Sequence, residues 1–559
     1  MKKLIYFLLL LPCLGLGQSD NQNYVKAITY RQPVTDPTEN FEDTITSTVV
    51  TYYDGLGREI QKLASQASAD DKDLVTYSEY DPYGRKPKDY LPFPHGKNEQ
   101  SFDPDAKSDT YDFYQDFREG TGSPFSQKQF EASPLSHVLK QSAPGNPWVL
   151  DSLGGADRTV KFDYQTNGIQ EVRRFTVSLN FQDLIYDPTL SEKGFYDPGT
   201  LYKTVTRDEN WTAADGDDHT SIEYKDKQGR VLLKRNFNNN SAYDTYYVYD
   251  VYGNLTYVIP PAVVSDWALN LDGLCYQYKY DRRNRQVMKK LPGKRWEYIV
   301  YDKLDRPVIT GPAYDPYDAT KRVWLLTKYE KFGRVAYTAY FGAKTEHQGE
   351  SAYFNEWKSY QSACDNPNTK LYEDVAAGTI INGINVGYKN TVLATNINIL
   401  TINYYDDYTF PGAPSSAILG TDVEGVTPSQ DVKGLATGGW TLVLDGAGNN
   451  NGNSTYTLYD DKARAIRTYK QNYLGGFTQT DTKLDFAGKT RRTVTSHSRD
   501  GSTADVTFRD YYTYSRQDRP LLHKQKIDGH EQLIAYNHYD PVGTLTKKQV
   551  GGTDLAGLA

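Results

Sequence analysis

Cysteine, methionine and histidine are scarce in this 559-residue chain: 3, 2 and 8 residues. Cys13 lies in an N-terminal apolar run, which leaves Cys275 and Cys364 for at most one bridge in a mature protein. A lone pair is no disulfide framework, so stability must come from packing. The histidines (His95, His137, His219, His347, His497, His523, His530, His538) form no His-Glu-x-x-His pattern, and there is no Cys-x-x-Cys pair to suggest a metal centre. His523, His530 and His538 could gather with Asp528 and Asp540 if their hairpins align, but surface histidines are the plainer reading. No Gly-x-Ser-x-Gly elbow is present, and neither remaining cysteine has a neighbouring histidine in sequence. The chain therefore reads as non-enzymatic, with no catalytic, cofactor-binding or metal residue nominated.

An excess of positive charge is also missing. The net charge is -8, with Lys and Arg interspersed among Asp and Glu, which argues against nucleic acid or an anionic membrane surface as partner. No segment reaches the roughly 20 apolar residues of a membrane span. The longest apolar run, Leu4 to Leu16, follows Lys2 and Lys3 and ends near the small residues Gly15 and Gly17. That is a signal peptide over 1–17 with Gln18 as first mature residue, and Pro12 before Cys13 is a poor lipidation context. Export to the extracellular space, cell surface or periplasm is expected. No block rich in Ala, Leu, Glu and Lys with helical period stands out.

What the chain has is tyrosine, 48 against 20 Phe, and 44 glycines, a composition of strands and turns. One pattern recurs between them. Tyr249-Asp250-Val251-Tyr252-Gly253-Asn254, Tyr280-Asp281-Arg282-Arg283-Asn284-Arg285 and Tyr301-Asp302-Lys303-Leu304-Asp305-Arg306 each separate two apolar-alternating runs. Asp in the first turn position can accept from the N–H two residues on, and Gly in the fourth suits a turn closed by a positive-φ residue. Asn284 and Asp305 are the non-glycine types that best tolerate that backbone. The flanking Tyr can lay its ring on the next hairpin with its hydroxyl wet, and the trailing Arg can cover rings or pair with Asp.

Further copies are Tyr53-Asp54 with Gly57-Arg58, Tyr80-Asp81 with Gly84-Arg85, Tyr329 with Gly333-Arg334, Tyr459-Asp460 and Tyr539-Asp540 with Gly543. Looser ones are Tyr224 to Arg230, with a residue inserted between Tyr and Asp, Leu484-Asp485 to Lys489, and Tyr514 to Arg519. Copies recur about every 20 to 30 residues, a period that signals a spiral array in which each hairpin buries its apolar face against the next. The fold class is mainly β: repeated antiparallel hairpins forming a spiral ribbon or shell, with a small irregular N-terminal region and an inserted subdomain.

The divisions read as 1–17 leader; 18–150 N-terminal region with two hairpins and a proline-rich cap; 151–341 β array; 342–455 insert; and 456–559 β array. Ser265 to Leu274 reads as a short N-capped helix. In the insert, 346–368 reads as helical, with strands over 391–405 and 440–444. The last residues carry no capping unit, so the array is expected to continue beyond Ala559.

The prominent aspartates sit in recurrent turn positions, which explains them without a glycosidase-type carboxylate pair. Acidic loops at Asp215-Gly216-Asp217-Asp218 and Asp445 to Asn449 match no full calcium loop. The tryptophans (Trp148, Trp211, Trp267, Trp296, Trp324, Trp357, Trp440) offer two readings, packing between hairpins or an aromatic platform for a cell-surface glycan.

The Tyr-Asp-x-x-Gly-Arg repeats, the leader, and blocks such as Tyr276 to Asp281 and Leu291-Pro292-Gly293-Lys294 resemble bacterial RHS-repeat (YD-repeat) proteins. The chain looks like their secreted or surface branch, with an uncharacterised N-terminal domain before the repeats. The resemblance implies a β-ribbon wound into a hollow shell, as in teneurins and insecticidal toxin complexes, enclosing or presenting a C-terminal toxin or other cargo released by cleavage near the core end. Its partner would then be its own C-terminal region or cargo, or else a cell-surface glycan or protein. Tyr539-Asp540-Pro541-Val542-Gly543 approaches the core-end wording, but Thr544 replaces the Arg and no second Asp-Pro follows, so neither cleavage residues nor toxin are carried over.

Overall fold

The computed structural model describes residues 22–34 and 46–552, apart from 97, 99, 118–119, 151–157, 346–348, 446–447 and 503–504. The stretch read as a leader, with Cys13, part of the Asp445 to Asn449 loop and the last seven residues lie outside the described residues.

The chain opens with a five-stranded antiparallel sheet: Asn23–Tyr30, Thr46–Tyr53, Glu59–Ala64, Leu74–Tyr77 and Phe93–Pro94. Alternation in Thr46–Tyr53 puts Val50 and Tyr52 into its core with Leu63 and Val75. The proline-rich stretch holds a helix, Ala106–Asp116, whose Tyr114 hydroxyl donates to the Pro92 carbonyl at 2.8 Å.

A second, 27-stranded antiparallel sheet carries the rest of the chain. It begins at Lys88–Tyr90, continues through Phe125–Phe130, Val138–Ser142 and Val160–Thr166, and passes to Tyr202–Arg207. From there it runs essentially strand to next strand as far as Leu545–Gln549. The described chain is thus mainly β, a ribbon of repeated antiparallel hairpins.

A single-layer ribbon cannot bury a face unless something lies on it. Three segments do so. The hairpin Arg173–Gln182 and Ile185–Phe195 leaves the meander, packs Phe175 and Leu190 against Leu233 and Tyr246, and rejoins at Tyr186 beside Tyr280. The helix Trp267–Leu274 sits next to it, with Trp267 Nε1 donating to Glu192 at 3.1 Å. Its N-cap is Asp266, whose carboxylate takes the Asn270 amide at 2.8 Å rather than a backbone N–H, so the expected side-chain cap is not formed.

The third cover is the helix Glu350–Asp365, within the stretch read as helical. Trp357 donates to the Ile299 carbonyl at 2.9 Å, and Gln361 exchanges two hydrogen bonds with the backbone of Tyr301, at 2.9 and 3.0 Å. Two strands of the 342–455 stretch, Asn398–Asp406 and Val432–Leu442, extend the ribbon by pairing with Val335–Thr345 and with each other, so the sheet runs on through that stretch. Cys275 and Cys364 are free and buried in different clusters, each thiol pushed up by burial, to about 11 and about 12.

Beyond Tyr459 the cover thins to the 408–426 segment, where Val423, with Ile418 and Leu419, packs against Tyr456, Leu458 and Ile466. The strands Phe477–Leu484, Thr490–Ser498 and Pro520–Ile527 are half-buried along their length and polar on both faces. Cross-strand pairs hold them: Arg467 to Asp481 at 2.6 Å, Thr480 to Thr495 at 3.0 Å and His523 to Asp510 at 2.8 Å. The ribbon curls far enough for late turns to reach the N-terminal sheet. Gln517 donates to the Gln66 carbonyl at 2.7 Å, Arg519 to the Ala67 carbonyl at 3.1 Å, and Arg31 to the Arg516 carbonyl.

The 366–397 loop is pinned to the ribbon by a buried ion pair, Lys328 to Glu373 at 2.9 Å, with both side chains at most 1 % exposed. Burial lowers the Lys328 pKa even with Glu373 beside it. Removing one partner of such a pair leaves an uncompensated charge and costs about 3–5 kcal/mol, whereas an apolar replacement of both is far milder. Glu373→Ala should therefore lower the unfolding midpoint much more than the double variant Lys328→Met/Glu373→Leu. Equal losses in thermal denaturation would contradict this.

Candidate functional site

The repeated turns carry the constellation that defines this chain. In each, the Asp N–H donates to the carbonyl four residues on, and the fourth residue's N–H returns to the Asp carbonyl, as at Asp54 (2.9 and 3.0 Å) and Asp250 (2.9 and 3.1 Å). The carboxylate completes the loop. Asp81 Oδ1 accepts from the N–H groups of Tyr83 and Arg85, both at 2.9 Å, and Oδ2 from Arg85 Nε at 2.7 Å. Asp54, Asp226, Asp281, Asp302 and Asp460 repeat this, each taking its own Arg. The Arg58 backbone N–H, with the other donors around it, holds the Asp54 carboxyl below the usual carboxylate range.

The fourth residue takes positive φ in each: 75° at Gly57, 78° at Gly84, 87° at Gly253, 58° at Asn284, 61° at Asp305, 85° at Gly333 and 86° at Gly543. The ladder slips by one residue at the flanking Tyr, the bulge that such a turn imposes, as between Val248 and Tyr249. Glu330 fills the Asp role after Tyr329, accepting from the Phe332 and Arg334 N–H groups, both at 3.0 Å, and Asp540 accepts from Val542 and Thr544.

Each turn is tied to the next. The Arg of one turn lies over the Tyr of the following turn: Arg58 on Tyr80 at 4.6 Å, Arg285 on Tyr301 at 4.8 Å, Arg306 on Tyr329 at 4.2 Å and Arg519 on Tyr539 at 5.8 Å. That Tyr hydroxyl is not left wet. It donates to the first carbonyl after the previous turn: Tyr80 to Glu59 (3.0 Å), Tyr280 to Leu255 (2.8 Å), Tyr301 to Gln286 (2.9 Å), Tyr329 to Pro307 (2.8 Å), Tyr539 to Pro520 (2.8 Å). Tyr459 donates likewise to Ala436 at 2.6 Å. At two turns the non-glycine fourth residue joins the link: Asn284 accepts from Asn254 at 3.1 Å and Asp305 from Arg285 at 2.8 Å.

Several members of the series carry no clean motif. Tyr405-Asp406 is one, opened by a long loop: Arg334 lies over Tyr405 at 4.2 Å, and Tyr405 donates to the Val335 carbonyl at 3.0 Å. Asn472 plays the Asp role in a turn with no Tyr-Asp, accepting from Leu474 and Gly476. At Asp226 nothing is inserted, because Lys225 stands in the tyrosine position and the slip falls between Tyr224 and Lys225.

The other candidates do not assemble. His523 bonds Asp510, His538 bonds Gln549 at 2.7 Å, and His530 is exposed at the start of its strand, so that group forms no cluster. Trp324 and Trp357 are core residues, and the remaining five tryptophans are half-buried. A cluster that the sequence did not single out is His95, Asp103 and Asp109, in the N-terminal region. Their spacing matches no motif, and only the fold brings them together.

Fold and turns together define a protein of stapled antiparallel hairpins. Residues 26–166 match a family model described as a domain of unknown function, DUF6443. Among solved structures the chain is similar to a Photorhabdus luminescens Tc holotoxin pore, at 14 % identity and a TM-score of 0.40, over 94 % of this chain and 22 % of that one. It is similar also to TcdB2-TccC3-TEV, at 13 % identity and a TM-score of 0.39, over 94 % and 23 %. The chain thus spans less than a quarter of the length of those structures. No curated protein matches it.

The turn geometry makes graded predictions. A β-carbon at Gly253 would meet the Arg230 guanidinium at 3.7 Å, an ordinary contact, so the cost of Gly253→Val, about 1–2 kcal/mol, comes from its φ of 87°. Asn284→Gly should be near neutral, since relief of φ offsets the lost bond from Asn254. Ala463, at φ 60°, is a poor occupant, and Ala463→Gly should stabilise by about 1 kcal/mol. Urea denaturation ranks the three, and equal effects would refute the positive-φ requirement.

Proposed function

We propose that this chain is the wall of an exported β-ribbon shell of the RHS (YD-repeat) kind, which encloses or presents a polypeptide cargo. The observation that carries this reading is the approach of the late turns around 516–519 to Arg31, Gln66 and Ala67, some 450 residues earlier. A ribbon that returns to its own beginning has an inside and an outside. The late strands support the same reading, because their polar faces suit water on both sides of a wall, whereas a sheet packed on a core would be apolar on one face. A β wall hides its edges and separates a lumen from solvent, so a polypeptide within it is kept from proteases and partners. The leader supplies the route out of the cytoplasm. None of the seven tryptophans is exposed, so an adhesin reading would rest on exposed tyrosines such as Tyr83, Tyr202 and Tyr314.

The test uses the native gene product, expressed with its leader and all that the gene encodes, collected outside the cytoplasm and exposed to a nonspecific protease. The expected result is a C-terminal polypeptide resistant to digestion in the intact protein and rapidly degraded when Asp460→Ala and Arg519→Ala weaken the wall. A product that stays in the cytoplasm, that carries no polypeptide beyond the wall, or whose C-terminal polypeptide is digested equally fast in both forms would contradict the proposal.

A further inference from the structure

We propose that His95, Asp103 and Asp109 bind one divalent transition-metal ion, with zinc the best chemical match, and that this ion ties the end of the N-terminal sheet to the helix behind it. One ligand atom from each residue lies within 4.8 Å of the others, and the His95 Nε2 to Asp103 Oδ2 distance is 3.8 Å. Around a tetrahedral zinc ion such atoms stand about 3.4 Å apart, so the set needs to contract by at most about 1.4 Å. The three residues come from different segments: His95 directly follows Phe93–Pro94, Asp103 sits in the loop before the helix, and Asp109 is in the first turn of Ala106–Asp116.

The second observation concerns Asp103. It is only 7 % exposed. Its Oδ1 accepts the Asp105 N–H at 2.9 Å, but Oδ2 is buried with no hydrogen-bond partner. A buried carboxylate oxygen left in that state is costly, and the nearby Asp109 carboxylate adds like charge rather than relief. The loop is not free to turn the group outward. Gln61, itself buried, donates to the Asp103 carbonyl at 3.1 Å and accepts the Asp103 N–H at 3.0 Å. The His95 backbone is fixed in turn by its N–H to the Asp73 carbonyl at 2.7 Å. A rigid backbone therefore holds the unsatisfied oxygen toward an imidazole and a second carboxylate. A dication would satisfy the Asp103 oxygen with the imidazole and the second carboxylate as its other ligands, and a mixed imidazole and carboxylate set suits zinc better than the hard cations calcium and magnesium.

The test is made on the full chain after chelator treatment, with zinc chloride as the probe. Calorimetry should show one equivalent bound, and bound zinc should raise the thermal midpoint because the unfolded chain lacks the site. His95→Gln, Asp103→Asn and Asp109→Asn should each weaken zinc binding at least about tenfold, and calcium chloride should bind far more weakly than zinc. Asp109 is half-buried, so Asp109→Asn keeps the test decisive if the more buried Asp103→Asn fails to fold. Absence of zinc binding by the wild-type chain would overturn the proposal and leave only a histidine–carboxylate contact. Unchanged zinc affinity in the three variants would overturn it equally.

Discussion

The fold depends on one interaction, the acceptance of backbone N–H groups by the side chain of the first turn residue. A five-residue turn closed at positive φ leaves the inner N–H groups without ladder partners, and the Asp carboxylate supplies them: at Asp302, Leu304 N–H at 2.9 Å and Arg306 N–H at 3.0 Å on one oxygen, with the guanidinium on the other. Because the turn fixes a bulge at the Tyr before it, it also fixes which side chains face each side of the sheet. A shift of one residue in Lys321–Tyr329 would turn Trp324 and Leu326 out of the core and bring Leu325 and Thr327 into their place. Asp, Glu330 and Asn472 all serve, so the requirement is an acceptor at a fixed distance rather than one residue type.

From this constraint follows the connection between turns. The Arg that neutralises its own Asp is thereby aimed along the sheet edge, where it covers the next Tyr, while that Tyr hydroxyl ties back to the first carbonyl beyond the turn. Neighbouring hairpins are joined at the edge as well as through the ladder. The edge links persist where packing changes character, from the covered apolar ribbon around Trp324 and Trp357 to the polar ribbon after Tyr459. This is how a sheet with little apolar core in its later part can still hold a defined curvature, and the curvature brings Arg519 to the Ala67 carbonyl.

The β class and the turn chemistry were legible in the sequence because both are local: an acceptor, a positive-φ residue and alternating strands lie within about ten residues. The helix at Glu350–Asp365 was legible for the same reason. Three kinds of feature were not. Tyr405-Asp406 is a turn of the series separated from its returning strand by a long loop, so the local pattern vanishes while the Arg334 contact survives. The hairpin Arg173–Gln182 and Ile185–Phe195 folds over the ribbon because Phe175 and Leu190 find the face of Tyr246 and Leu233, a long-range fit that no local pattern encodes. The meeting of His95, Asp103 and Asp109, like that of Gln517 with Gln66, depends on how separate segments pack and has no signature in spacing.

The central claim is that consecutive turns are energetically coupled through the Arg and Tyr pair. The most direct measurement is a double-mutant cycle at Arg306 and Tyr329, whose guanidinium lies 4.2 Å from the ring centroid, using Arg306→Gln and Tyr329→Leu in urea denaturation. A coupling energy of about 0.5–2 kcal/mol is expected, the range of a partly buried cation–π contact. Effects that add to within about 0.3 kcal/mol would show that each turn stands alone and would contradict it.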